Sequence, residues 1–132
     1  MIEDAGADAL ELNVYFIAAD VDSSAADVEK RYTDLVAAVK KSISIPLAVK
    51  VGPYFSAPGS MCRKLVEAGA DGLVLFNRFL QPDIDLDSLE SSPRLELSSP
   101  AEMLLPLRWA AILSGRIDAS LAMLPDPIPI PG

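Results

Sequence analysis

The sequence predicts an α/β fold in which parallel strands alternate with helices, and three observations support this class. Short apolar runs next to glycine or proline begin at Ala9, Pro46 and Gly72, as expected of strands buried within a sheet. Segments of helical periodicity separate these runs. The tetrapeptide Ala-Gly-Ala-Asp precedes an apolar strand with a terminal asparagine twice, at 5–13 and 68–77, which indicates repeated strand–helix units.

The composition restricts the possible functions. The 132-residue chain is of one-domain size, has a net charge of -8 and contains no histidine. This charge argues against a nucleic-acid partner, and the lack of histidine removes the usual general base and the commonest metal ligand. The single cysteine, Cys62, predicts a reducing, cytoplasmic setting. We expect neither a secretion signal nor a membrane span, because no apolar run approaches the ~20 residues that a span needs.

The first two predicted helices have clear boundaries. Ser24 is a suitable N-cap for the first, with Asp27 three residues further on. The apolar residues of this helix form one stripe, which consists of Val28, Tyr32, Leu35, Val36 and Val39. The second helix is expected from about Ser60 to Ala68, before Gly69. Cys62 on this helix is interpreted as a small core residue rather than a nucleophile, because no histidine is present to activate it.

A long connection, a third helix and a fourth strand follow. The connection at 78–97 carries three aspartates, whose spacing fits a solvated connector or short hairpin better than a calcium loop. The third helix is predicted to begin with a capping box at 99–102, to kink at Pro106 and to end near Ser114–Gly115. The fourth strand is expected at 118–123.

Polar residues near the strand ends are the candidate functional groups. Lys50 is the only charged residue of the apolar run 45–55, and it lies near the carboxyl end of its strand, where ligands bind in such sheets. The alternative is that Lys50 only pairs with a buried carboxylate such as Glu11. In the first strand, alternation places Glu11 and Asn13 on one face, which indicates either a barrel interior or site, or an edge strand with one wet face.

Four predicted strands account for about half of a closed barrel. The order of elements predicts a parallel sheet with right-handed crossovers. A closed eight-stranded barrel needs ~200 residues or more, so this chain is long enough for only part of one. The segment 124–132 contains four alternating prolines and is interpreted as an extended tail.

Three segments together resemble a known enzyme family. They are Glu11-Leu12-Asn13, the run Leu-Ala-Val-Lys-Val-Gly-Pro-Tyr-Phe at 47–55, and the run Gly-Leu-Val-Leu-Phe-Asn-Arg-Phe at 72–79. In order and spacing they resemble dihydroorotate dehydrogenases, and most closely the dihydroorotate dehydrogenase-like bacterial proteins, across about residues 3–122. The resemblance implies a flavin mononucleotide (FMN) enzyme on a TIM (β/α)8 barrel that oxidises dihydroorotate to orotate in pyrimidine biosynthesis. Residues 1–123 would then form about half of that barrel.

The resemblance also implies roles for individual residues. Lys50 would contact the flavin ring, where a cation stabilises the negative charge of the reduced form. Asn13 would hydrogen-bond both flavin and substrate, and Asn77 would bind the carboxylate or ring amide of the substrate. No metal site is implied.

Departures from the family pattern predict an incomplete or inactive copy. Phe16 occupies the position of the catalytic Cys or Ser, and Ala18 that of a second asparagine. A phenylalanine cannot accept a proton, so the expected base is lost. The glycine-rich turns that hold the flavin phosphate are expected after 119–122, where the proline-rich tail occurs instead. Two alternatives stay open, namely a non-catalytic half-barrel that associates with itself or another chain, and a different flavin or phosphate-ligand barrel.

Overall fold

The computed structural model describes residues 2–77, 82–93 and 100–123, and these form an α/β fold. In chain order the elements are β1 (Leu10–Asn13), α1 (Ala25–Ser42), β2 (Leu47–Val51), α2 (Pro58–Glu67), β3 (Gly72–Leu75), β4 (Pro82–Ile84), β5 (Ser91–Pro93), a 3-10 turn (Pro100–Met103), α3 (Leu104–Leu113) and β6 (Ser120–Met123). Four strands form a parallel sheet in the order β1-β2-β3-β6. The predicted class, with helices between parallel strands, is confirmed. The predicted tail at 124–132 lies outside the described residues.

The helices of the sheet lie on one of its faces. The strands follow one another across the sheet in sequence order. Right-handed crossovers between strands added in one direction place all of the connecting helices on the same face of the sheet. The core lies between this face and the helices. Its most deeply buried side chains, each less than 2 % exposed, come from both layers: Leu47, Val49, Val51, Leu73 and Leu75 from the strands, and Val36, Met61 and Leu65 from the helices.

Helix α1 begins as the sequence predicts. The Ser24 hydroxyl accepts the Asp27 N–H at 3.1 Å, and the Asp27 side chain accepts the Ser24 N–H in return. The predicted apolar stripe is wrong at Leu35, which is 42 % exposed. Leu35 lies roughly 120° around the helix from Glu29. Since the Glu29 carboxylate pairs with Lys64 of α2, Leu35 faces away from that neighbouring helix.

The second and third helices differ from prediction mainly in where they begin. Helix α2 starts at Pro58, before the predicted Ser60, because proline suits the first helical turn. Pro106, for which the sequence predicts a kink within the helix, lies instead near the start of α3. The preceding turn is a 3-10 helix, so Pro106 falls in the first turn of α3, where its missing N–H costs nothing. The N-cap predicted at Ser99 lies outside the described residues.

The long connection contains a hairpin, as one of the two interpretations expected. Strands β4 and β5 pair antiparallel, and the Asp85 carboxylate accepts the N–H groups of Asp87 and Ser88 at the turn, at 2.8 and 2.9 Å. These backbone bonds hold the pKa of Asp85 below its usual value. Across the ranges that the structure describes, no helix is both long and apolar enough to cross a membrane.

Candidate functional site at the carboxyl ends of the strands

The sheet face opposite the helices carries two of the predicted site residues, Asn13 and Lys50. We call it the open face, and it consists of Glu11, Asn13, Ala48, Lys50, Gly72, Val74, Ser120 and Ala122. The strand register arranges these residues in two rows across the sheet, Glu11–Ala48–Gly72–Ser120 and Asn13–Lys50–Val74–Ala122. The edge residues of both rows are exposed, and Gly72 and Val74 at the centre are buried. The second row lies nearer the carboxyl ends of the strands.

Asn13 and Lys50 are direct neighbours in the second row. They are register partners on strands β1 and β2, and adjacent strands lie about 4.8 Å apart, so both side chains leave the sheet side by side. Lys50 is half-buried and Asn13 is exposed. The alternative of a buried Lys50–Glu11 pair is not found, because Glu11 is exposed and no ion pair within the described ranges includes Lys50. The ammonium group is therefore available to an anionic or electron-rich ligand.

Asn77 lies at the same end of the sheet but has a structural task. Its side chain is buried, and its amide nitrogen donates to the carbonyl oxygens of Val14 at 2.9 Å and Lys50 at 3.3 Å. Its backbone N–H donates to Val51 at 2.8 Å. Asn77 thus ties together the ends of β1, β2 and β3. Any contact of its side chain with a ligand would use the amide oxygen, since both amide hydrogens are committed to the backbone.

The position predicted for the catalytic base is apolar and is held against α1. The guanidinium carbon of Arg31 lies 3.8 Å from the centre of the Phe16 ring, a cation–π contact. The Tyr32 hydroxyl donates to the Phe16 carbonyl at 3.5 Å, and the Tyr32 ring meets Phe55 edge to face at 5.2 Å. Burial raises the pKa of Tyr32, so its phenol stays protonated and serves as a donor. Sequence reasoning assigned Tyr32 to the core stripe and missed this second role.

The opposite end of the sheet is fixed by an aspartate. The Asp71 carboxylate accepts the Lys40 ammonium at 2.7 Å and the Leu47 N–H at 2.8 Å. These two bonds, the Lys40 bond first, hold the pKa of Asp71 below its ordinary value. Gly69, at φ +121°, lets Lys40 pass, since a Cβ there would lie 2.7 Å from the Lys40 Cγ. The Lys40 and Asp71 charges are therefore committed to the start of β2 and β3.

Neither Cys62 nor a metal cluster adds reactive chemistry in the described part of the chain. Cys62 is buried in the core, and burial raises the pKa of its thiol to about 11. At neutral pH it is a protonated apolar group, as the sequence predicts. Among the described residues, no three His, Cys, Asp or Glu side chains are grouped so as to hold a metal ion.

Comparisons with known proteins do not extend the family resemblance. No protein-family model matches the chain, and no curated protein matches it. The likeness to dihydroorotate dehydrogenases therefore depends on the segments 11–13, 47–55 and 72–79 alone. In the structure the described parts of all three segments end at the same edge of the sheet, next to Asn13, Lys50 and Asn77.

Proposed function

We propose that this chain is a half (β/α)8 barrel whose open face contacts the ring of a flavin mononucleotide. The observation that carries the proposal is the second row of the open face. There Lys50, which has no ion-pair partner among the described residues, lies beside Asn13 at the carboxyl end of a sequentially ordered parallel sheet. A sheet covered by helices on one face only is the arrangement of a barrel wall, whose other face is the interior. Ligands of such barrels bind at the carboxyl ends of the strands.

The residues of this edge fit the ring of a flavin. Lys50 as a whole is half-buried, and its ammonium group would stabilise negative charge on a ring placed over it. The Asn13 amide offers two donors and an acceptor to ring atoms beside it. A bound flavin would accept a hydride from the substrate. The glycine-rich turns that hold the flavin phosphate in the family would follow 119–122, where this sequence has the proline-rich tail.

Turnover of dihydroorotate requires a group that the described residues of this edge do not supply. The substrate must lose a proton as well as a hydride, and a well-placed base contributes roughly 10²–10⁴ in rate. Phe16 leaves the family's base position without a titratable group, and Tyr32 behind it keeps its proton. We therefore propose a dihydroorotate dehydrogenase-like chain that is catalytically incompetent by itself. Its reduced, buried Cys62 is compatible with the cytoplasmic location we propose.

A second candidate function is that of a non-catalytic half-barrel that works by association with another chain. The specific observation in its favour is that the outermost residues of the open face, Glu11 and Asn13 on β1 and Ser120 and Ala122 on β6, are all exposed. On this interpretation the same face is a contact surface rather than a ligand site.

Titration of FMN fluorescence tests the proposed function. We expect quenching with a dissociation constant far above micromolar, because Lys50 and Asn13 would contact only the ring and no phosphate turn is identified among the described residues. Lys50→Met should abolish this weak binding, because it keeps the length of the side chain and removes its charge. Lys41→Met is the matched control, since Lys41 is exposed at the end of α1, and it should bind like the parent chain. Equal binding by both variants, or no binding by the parent chain, would contradict the proposal.

A further inference from the structure

The parallel sheet ends in two edges, β1 and β6, that pair with no further strand among the described residues. At the two ends of β1, the N–H of Leu10 donates to the Pro46 carbonyl just before β2, and the N–H of Val14 donates to the Lys50 carbonyl of β2, at 2.9 Å each. Successive peptide groups of a strand point to opposite sides, so the N–H and C=O groups of Glu11 and Asn13 point away from β2. Such an exposed row of backbone groups is a template for pairing with another strand.

The repeated tetrapeptide shows how a strand would be fastened beside β1. In the second copy, the Asp71 carboxylate accepts the N–H of Leu47, which belongs to the strand that precedes its own. Asp8 holds the same place before β1, and it is exposed, with no hydrogen bond or ion pair to the rest of the described chain. Asp8 thus repeats, before β1, the acceptor that Asp71 provides between β2 and β3. Its carboxylate is available to an N–H of a strand from another molecule.

The helix layer is apolar at both of its ends. Helix α3, beside β6, exposes four large apolar side chains, Leu104, Leu105, Leu107 and Ile112, at 64, 39, 53 and 37 %. At the other end, an apolar pocket lies between β1 and the end of α1, lined mainly by Ile2, Leu10, Val39, Ile43 and Ile45. Apolar surfaces of this kind mark contact sites. The exposed apolar side chains of α3 in one copy could therefore pack against the apolar pocket beside β1 in another copy.

We propose that two copies of this chain join edge to edge, with β6 of each copy beside β1 of the other, to form a closed ring of parallel strands. Each copy supplies four parallel strands with helices on one face, and eight strands are the number at which such a barrel closes around a filled interior. A head-to-tail contact that closes after two copies leaves no free edge, so assembly stops at the dimer. The closed interior would hold Lys50 and the partner's Lys50. This inference rests on the half-barrel part of the proposed function and not on flavin binding.

Sedimentation velocity of the full chain, without flavin, is the first test. Over a micromolar to millimolar range we expect a single species of twice the 14.1 kDa chain mass, with monomer only at the lowest concentrations. A monomer throughout the range would overturn the proposal. A continuous series of larger oligomers would overturn it too, because open edges that do not close would grow without limit. Since no flavin is present, neither result depends on the proposed cofactor.

Variants at the edge of β1 show whether this edge forms the contact. Glu11→Pro removes an N–H that points away from β2, so the hydrogen bonds between β1 and β2 are kept. Each of the two β6–β1 contacts of the dimer loses one donor and meets the proline ring. We expect the dissociation constant to rise roughly 100-fold, with unchanged circular dichroism. Glu11→Thr, which keeps the N–H, is the matched control and should dimerise like the parent. An unchanged dissociation constant for Glu11→Pro would refute the edge pairing.

Asp8→Asn provides an independent check if Glu11→Pro alters the circular dichroism. This exposed substitution keeps the shape of the side chain and removes the charge that we assign to the contact with an N–H of the other copy. We expect the dimer to weaken roughly tenfold. Asp22→Asn, an exposed aspartate in the turn before α1, is its control and should leave the dissociation constant unchanged. If both variants dimerise like the parent chain, Asp8 does not fasten a strand of a second copy.

Discussion

Removal of the Asn77 amide should destabilise the fold more than any other single change at the carboxyl edge. Its nitrogen donates to the Val14 and Lys50 carbonyls from a side chain that is only 7 % exposed. In Asn77→Ala both bonds are lost, at about 1 kcal/mol each. The Lys50 carbonyl keeps its bond from the Val14 N–H, whereas the Val14 carbonyl loses its bond from the Asn77 amide. We therefore expect a loss of roughly 2–3 kcal/mol in the free energy of unfolding.

Urea unfolding at a fixed protein concentration measures this loss. With a slope of about 1–3 kcal/mol per molar urea for a domain of this size, the midpoint should fall by roughly 1–2 M. Asn13→Ala is the matched control, because Asn13 ends the neighbouring strand but is exposed, and it should change stability by no more than about 0.5 kcal/mol. Equal midpoints for the two variants would refute the conclusion that the Asn77 side chain holds the ends of the strands together.

The pH dependence of Asn77→Asp gives a second check of the same geometry. A carboxylate at this position would face two carbonyl oxygens, which disfavours its charged form and raises its pKa in the folded state. Stability should therefore be lost as pH rises through the unfolded pKa of about 4 and beyond, and be regained in acid, where the protonated carboxyl can donate. A stability profile that parallels that of the parent chain would show that residue 77 does not face those carbonyls.

Three further predictions follow from other parts of the structure. Asp71→Asn should lower stability by about 1 kcal/mol, a figure discounted because half of the side chain is exposed. Since the pKa of Asp71 is lowered in the folded state, this stabilisation is present above the ordinary pKa of 3.8 and should vanish as the pH falls below that value. Asp118→Asn in the same urea series is the control and should not change the stability. Cys62, with a pKa of about 11, should react with iodoacetamide far more slowly in the folded chain than in urea, and equal rates would place it outside the core. Anaerobic mixing of the flavin-supplied chain with dihydroorotate should not bleach the flavin at an enzymatic rate, and rapid bleaching would refute the assignment of Phe16 to the base position.

The elements that the sequence predicts best are those specified by local chemistry. Helix α1 begins at Ser24 because serine and Asp27 exchange hydrogen bonds within four residues, and this pattern is visible in the sequence. Strand β2 is a short apolar run after Pro46, and its burial follows from its composition. The sharp end of α2 at Gly69 also depends on one residue, whose positive φ suits glycine.

Features that depend on packing between distant segments could not be predicted. The exposure of Leu35 is decided by where α2 lies, and helical periodicity alone assigned that residue to the buried stripe. The Lys40–Asp71 pair joins residues far apart in the sequence, so Lys40 appeared to be only a surface cation at the end of a helix. A terminal asparagine such as Asn77 was noticed, but its commitment to backbone carbonyls requires the relative positions of three strands.

The candidate site was predicted in part. The carboxyl ends of parallel strands share one edge, and this rule is enough to bring Asn13 and Lys50 to the same side of the sheet. Their direct adjacency depends on the β1–β2 register, which the sequence does not specify. The same register places Glu11 opposite Ala48, so that Glu11 and Lys50 are diagonal neighbours and not direct partners.

The central claim is that the flavin ring binds beside Lys50, and amide chemical shifts measured during titration with FMN test it most directly. We expect the backbone and side-chain amide signals of Asn13 and the backbone signals of Lys50 and Val51 to shift with one common saturation curve. The signals of Gly69 and Asp71 mark the opposite end of the sheet and should stay in place. Shifts centred on Asp71, or none at the open face, would contradict the account.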